Sequence, residues 1–556
     1  MHRRALLLST LVLLAGACSS PGPAAPAVEP YIAFEGTAPH TRPIGSKAPG
    51  AQRAFDQGLS FLWSFNHDEA ISSFTEVTEL DPQSPMGYWG IAVAMGPHIN
   101  NPALPPEREH AAWQAAQKAV ALQERANAAD RALIAAVAKR YSNPPGDRAA
   151  SDRAYAEAMR AAWTAHPNDA DVGALCAEAL MDLHPWDLWT STGKPKEGAV
   201  EVVALLDDVL ALDAQHPGAL HLYIHAVEAS DDPGRALPVA DRLRNLVPVS
   251  GHMCHMPSHI DVLLGHWDEA IAANQKAIVA DKAYTAARPH QEFHHMYMAH
   301  NQAMLAFAAM MDGRSELAIS TAREILPVAG GYAHEVTPAI EPSFVILYDT
   351  LIRFGRWEEM LAEPEPPDDM IVALPLWHHV RGVALAALGR VDDAEDELED
   401  FRDAAADVPP ERALAINPAH RVFAIADHML AGEIAWAKDD VAGAVSELQQ
   451  AIALEDQLAY MEPPEWALPV RHALGAILLS AGRAEEAEAV YRADLQNWPD
   501  NGWSLHGLAD CLEARGDTAG AAEARARFDK AWAQADVQIG SSCMCVAGAA
   551  VGAADQ

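Results

Sequence analysis

Gly482-Arg-Ala-Glu-Glu-Ala487 and, 34 residues further on, Gly516-Asp-Thr-Ala-Gly-Ala521 mark the same turn in two consecutive units of the chain. Each follows an apolar run and opens a second helix on small residues, with acidic residues prominent among them. A glycine just past a helix end supplies the left-handed conformation that reverses the backbone. Acidic residues in the next first turn suit the positive end of the new helix. The pattern returns at Asn66-His-Asp-Glu-Ala70, Gly265-His-Trp-Asp-Glu-Ala270, Gly313-Arg-Ser-Glu-Leu-Ala318 and Gly389-Arg-Val-Asp-Asp-Ala394, and Gly355 to Gly389 repeats the offset of 34. One helix pair cannot bury its apolar stripe alone, whereas stacked pairs share a continuous core. With 556 residues rich in Ala, Leu and Glu, the chain reads as an all-α repeat array rather than one compact core.

This period and helix–turn–helix grammar resemble the tetratricopeptide repeat. Leu80-Asp81-Pro82 and Asn497-Trp-Pro-Asp500 end second helices as that family does. The resemblance covers about Ala51 to Trp532 and implies an α–α superhelical solenoid whose concave groove takes a protein or peptide ligand. Residues 51–362 and 371–535 are the expected N-terminal and C-terminal arrays, separated by the acidic, Pro-rich Glu363-Pro-Glu-Pro-Pro-Asp-Asp369. Asn100–Glu107 and Tyr141–Asp147 read as inserted loops. Tyr88-Trp-Gly-Ile-Ala-Val-Ala-Met-Gly-Pro-His-Ile-Asn100, His255-Met-Pro-Ser-His259, Glu462-Pro-Pro-Glu-Trp466 and Ser541-Ser-Cys-Met-Cys545 further resemble a His-rich bacterial subgroup of these repeat proteins, a likeness that implies no particular activity.

The N-terminus has a basic Met1-His-Arg-Arg4, a short apolar run and then Ala15-Gly-Ala-Cys18. That is a secretory signal, too short to span a bilayer. It resembles a bacterial lipoprotein signal over residues 1–18, which implies lipidation at Cys18, membrane attachment through that lipid and an outer-membrane lipoprotein facing the periplasm. Ala15 stands where that signal class has leucine, so plain secretion with another cut is the alternative. Residues 19–50 follow as a Pro/Ala-rich tether. A formal charge of −38 argues against nucleic acid as partner.

The chemistry concentrates in two neighbouring units. His216-Pro-Gly-Ala-Leu-His221-Leu-Tyr-Ile-His225-Ala-Val-Glu228 is followed by Gly251-His252-Met-Cys254-His255-Met-Pro257-Ser-His259, with His300 in the next helix. His221, His225 and Glu228 are spaced i, i+4, i+7 and share one helix face. With the turn glycine as repeat position 15, His221 and His255 fall at position 5, His225 and His259 at 9, Glu228 at 12, and His252 and His300 at 2. The family resemblance makes these the groove-lining positions. Pro257 commonly begins a helix, which would leave His252 and His255 on the preceding loop.

Imidazoles with a carboxylate suit a zinc site with an open position. Imidazole with thiolate and thioether suits copper, and Met253, Cys254, Met256, Met296 and Met298 are nearby in sequence. Cys543 and Cys545, in the tail 536–556, are candidate further ligands or a redox disulfide, whereas Cys176 and Cys511 read as buried core thiols. Glu178 and Asp182, spaced i, i+4, read as a solvated face or one that extends the groove, His294-His295 as an outer shell or a helix start, and Trp186, Trp189, Trp466 and Trp503 as core or stacking residues. No Gly-rich phosphate loop, Gly-x-Ser-x-Gly elbow or His-Glu-x-x-His helix is present, which weighs against the common nucleotide-dependent and hydrolase classes. Two readings stand: an envelope scaffold with a metal-binding His/Glu cluster in its groove, or a copper or zinc enzyme using that groove as active site.

Overall fold

A computed structural model describes residues 29–289, 293–329 and 340–546. The signal segment and Cys18 lie outside them, as does the tail beyond Val546. The fold is an all-α, tetratricopeptide-like solenoid of helical hairpins. Among the described residues the one sheet is the antiparallel pair Ala413–Leu414 and Asn417–Pro418. The hairpins are clearest at Ala51–Leu62 with His67–Leu80, Ala373–Ala387 with Val391–Asp407, Val470–Ser480 with Ala484–Asn497, and Gly502–Ala514 with Thr518–Ala531.

The turn glycines do what the sequence asks of them. Gly265, Gly313, Gly355, Gly389, Gly482 and Gly516 all take φ between +65° and +79°. Phe65 and Asp439 hold the equivalent positive φ without glycine, and Asn66 and Asp440 beside them cap the next helix with their side chains. Within the stack, two aromatic rings are each wedged between a pair of glycines, Phe74 in the N-terminal repeats and Tyr491 in the C-terminal ones. A β-carbon on Gly58 or Gly90 would lie 2.5 Å from the Phe74 ring, and one on Gly475 or Gly507 would lie 2.5 or 2.2 Å from Tyr491.

Packing divides the chain at a different place from the one expected. One continuous core runs from Ala38 to Tyr297 and another from Val262 to Val546. The acidic stretch 363–369 is not a boundary, because Met360 and Met370 on its two sides are buried in the same core. The cores meet instead across residues 251–311, where Met253 and Ile260 belong to the first and Val262 and Ala299 to the second. Long-range contacts tie segments distant in sequence: the Arg288 guanidinium donates to Glu69 at 2.6 and 2.9 Å, and the Trp503 indole N–H donates to the Met310 carbonyl at 3.0 Å.

The expected tether also ends earlier than residue 50. Arg42 is buried and bonded to Asp130, Asp169 and Asp171 at 2.7–3.1 Å, the Ala38 amide donates to Ser60 Oγ, and the Ile32 carbonyl accepts from Gln57. Residues 29–50 are therefore a strap bound to the first core. The start of the tail is held in the same way. The Asp536 carboxylate caps the Ser315 and Glu316 amides, and Ser542 Oγ bonds the Tyr491 hydroxyl and the His472 carbonyl.

Candidate metal centre

His221 and His225 sit on the helix Pro217–Val227, whose first turn is capped by the His216 ring. His252 and His255 sit on Gly251–His255, and His259 on Pro257–Leu263. Pro257 does start a helix, but Met256 before it keeps helical angles, so His252 and His255 stay on the helical path and in repeat register. His300 comes from His294–Met311. The structure brings all six rings together: ring centroids of His221 and His252 are 4.8 Å apart, those of His225 and His259 5.6 Å, and those of His255 and His300 4.7 Å.

The hydrogen bonds behind the rings decide where the lone pairs point. His221 Nδ1 donates to the Trp63 carbonyl at 2.7 Å, His225 Nδ1 to Glu228 Oε1 at 2.9 Å, and His259 Nδ1 to Glu228 Oε2 at 2.5 Å. His255 Nδ1 donates to Asn274 Oδ1 at 2.6 Å; Asn274 is oriented by its own amide N–H donating to the Ala270 carbonyl. Each of these rings thus spends its one N–H outward and presents a bare Nε2 inward. The Nε2 atoms of the cluster converge. His255 Nε2 lies 2.6 Å from His259 Nε2 and 3.1 Å from His300 Nε2, while His221 Nε2 lies 3.0 Å from His252 Nε2. His225 Nε2 is buried with no hydrogen-bond partner.

The bare Nε2 atoms of His255 and His259 repel at 2.6 Å unless a cation lies between them, whereas His252 and His300, with Nδ1 uncommitted, can donate from Nε2 to His221 and His255. Ligands around a tetrahedral ion with metal–nitrogen bonds of about 2.0–2.1 Å stand about 3.3 Å apart, so the 3.0 and 3.1 Å separations are already close to those of a chelating set. Burial, reinforced by neighbouring imidazoles, holds His221, His252 and His255 well below the ordinary imidazole range and His300 at about 3. At Glu228 burial pushes upward, but His259 and His225 outweigh it and keep the carboxylate below its usual range.

Glu462 is the residue that sequence reasoning passed over. Its Oε2 lies 3.0 Å from His259 Nδ1, its Oε1 accepts from the Tyr460 hydroxyl, and burial together with nearby Glu228 pushes its carboxyl well above the ordinary range. It arrives on a connection of the C-terminal half. The same connection roofs a cavity of about 640 Å³, lined among others by His225, His252, His259, His300 and Glu462. Asn100 and Pro102 from the expected inserted loop, with Ile99, Trp186, Phe293, Tyr297 and Ile346, form much of the remaining wall. The cluster therefore faces a partly open cavity walled by residues from both halves of the chain.

Other candidates fall elsewhere. Cys543 and Cys545 are joined to each other as a disulfide beside Glu433 and do not line the chamber, so the tail adds no thiolate to the imidazoles. Cys254 is buried with its thiol near the Val247 carbonyl, and of the nearby methionines only Met296 lines the chamber. Glu178 and Asp182 are not solvated: Glu178 is buried, and Asp182 pairs with buried Arg140 at 2.6 Å. His294 lies 3.4 Å from Asp281, away from the cluster, and Trp186 lines the chamber while Trp503 is core.

Fold and site together define a helical-repeat scaffold of tetratricopeptide type with a partly open, histidine-walled cavity. No family model matches the chain, and no curated protein matches it. Among solved structures it is similar to a human IFIT1 dimer with m7Gppp-AAAA, at 12% identity over 88% of this chain and 92% of that one, with a TM-score of 0.33. It is also similar to the APC/C hetero-tetramer Cut9–Hcn1 (11% identity, 87% and 91% covered, TM-score 0.29) and to yeast Tom70 (10%, 87% and 91%, TM-score 0.28).

Proposed function

We propose that the protein is an exported metalloprotein: a lipid-anchored helical scaffold in the bacterial envelope that holds copper or zinc on His221, His225, His252, His255, His259 and His300. One observation carries this reading. His255 Nε2 and His259 Nε2 stand 2.6 Å apart while both rings have committed their N–H to other acceptors, an arrangement that a bound cation stabilises. Glu228 acts behind the ligands, orienting two rings, rather than as a ligand itself. Export and the anchor at Cys18 rest on the signal segment, and the charge of −38 argues against an RNA ligand of the kind bound by IFIT1.

Metal analysis of protein purified without an affinity tag tests it. Stoichiometric copper or zinc is expected, and its loss from the His225→Ala/His259→Ala double variant. Metal-free protein whose melting temperature ignores added copper and zinc would refute the reading.

The chamber favours an enzyme over a passive metal store. Its volume of about 640 Å³ falls in the usual range for small-molecule sites, and its wall mixes aromatic and aliphatic side chains with four of the histidines. A small, largely apolar molecule held there lies against the metal. Trp186, Phe293 and Tyr297 supply the contact surface. Turnover is tested by screening metal-loaded protein against small phenols, amines and esters, with the His225→Ala/His259→Ala variant as the blank.

A further inference from the structure

We infer that the six histidines hold two metal ions side by side, one on each of two three-histidine sets; this rests on the metal reading above. The sets share no member. One ring nitrogen from each of His221, His225 and His252 lies within 4.8 Å of the other two, and the same holds for His255, His259 and His300. A tetrahedral ion with an open position takes three protein ligands, so six converging imidazoles are twice what one such ion uses. The sets are neighbours: the His252 and His255 ring centroids are 6.0 Å apart, and those of His225 and His259 5.6 Å.

A single carboxylate ties them. Glu228 accepts from His225 of one set through Oε1 and from His259 of the other through Oε2, so one side chain sets the orientation of a ligand in both. A lone ion between His225, Glu228 and His259 would be the rival arrangement. It would use the two Nδ1 atoms facing Glu228 and leave the Nε2 atoms of His221, His252, His255 and His300 converging on nothing. Both sets reach the chamber, His225 and His252 from one and His259 and His300 from the other, so a molecule inside meets both ions. Paired sites of this kind hold their ions about 3.5–4 Å apart and clamp a substrate from two sides.

The test is a titration of metal-free protein with Cu(I) under anaerobic conditions and, in parallel, with Zn²⁺. Two equivalents are expected. The count should fall from two to one in His221→Ala/His252→Ala and again from two to one in His255→Ala/His300→Ala, with helix content by circular dichroism confirming the fold. X-ray absorption of the loaded protein should show a metal neighbour about 3.5–4 Å away. One equivalent in the unmodified protein, or two with no metal neighbour, would overturn the pair while leaving metal binding intact; no binding at all would overturn the metal reading itself. The stoichiometry of the unmodified protein decides the matter even where a double variant does not fold.

Discussion

Glu462 Oε2 stands 3.0 Å from His259 Nδ1, so a carboxyl from the C-terminal half meets a histidine of the N-terminal repeats. Carboxylates behind metal-bound imidazoles fix ring orientation and raise ligand basicity. Glu462→Gln is expected to weaken metal affinity by about 10–100-fold, and Glu228→Gln by at least as much because it holds two rings. Competition against a chelating dye measures both. Affinities within twofold of the unmodified protein would show that the carboxyls do not act through the ligands.

Glu433 gives a pH signature remote from the histidines. Its side chain is enclosed, Oε1 has no hydrogen-bond partner, and burial alone pushes it up to about 8. An unfolded glutamate titrates near 4.3, so between roughly pH 4 and pH 8 the folded protein keeps a proton that the unfolded chain releases. The stability tied to this group is whole below that window and declines as pH rises through it. Glu433→Gln abolishes the decline and gains on the unmodified protein by up to a few kcal/mol from about pH 5 to about pH 8. Urea midpoints at the two ends of that range check it; midpoints that shift in parallel would contradict it.

Arg42 pins the strap. Its buried guanidinium is shared by Asp130, Asp169 and Asp171, so Arg42→Ala strands the buried charge of Asp130 and leaves Asp171 to His40 and His216 alone. Breaking such a group typically costs about 3–5 kcal/mol. The substitution should lower thermal stability and speed amide hydrogen exchange in residues 29–50 ahead of the rest. Uniform acceleration along the chain would mean that the strap has no independent hold.

The glycine–aromatic wedge predicts a local penalty at sites that touch no ligand. A methyl at residue 475 or 507 meets the Tyr491 ring at under 3 Å. Gly475→Ala and Gly507→Ala should each destabilise by about 1–3 kcal/mol, while Gly482→Ala, open around its β-carbon, should be penalised only through its φ of +75°. Chemical denaturation of the three variants separates the two causes.

The repeat architecture was legible because it is local: a turn glycine and the residues after it sit side by side in the chain. The face shared by His221, His225 and Glu228 was legible for the same reason, and the repeat register carried it to His255, His259 and His300. Register locates a residue within its own unit and says nothing about what folds over it. Asn274, the Trp63 carbonyl, Tyr297 and Glu462 complete the site from distant positions, so helical periodicity could not find them. Asn66-His-Asp-Glu-Ala70 exposed its turn without a glycine, but the equivalent turn at Asp439 escaped notice because an aspartate takes the left-handed position there. The tether and the acidic break were misjudged on composition, which reports solvation tendency and not the specific salt bridges and buried methionines that override it.

The helices carrying the imidazoles contribute side chains to both cores, and the roof over them comes from residues near 460. A chain made from its N-terminus therefore presents every one of the six imidazoles long before the residues near 460 that roof them. Completion of the cavity becomes a late event, a seal set once the segment near residue 460 has docked. A molecule truncated ahead of that segment would keep its donors yet leave them open to water and to competing scavengers.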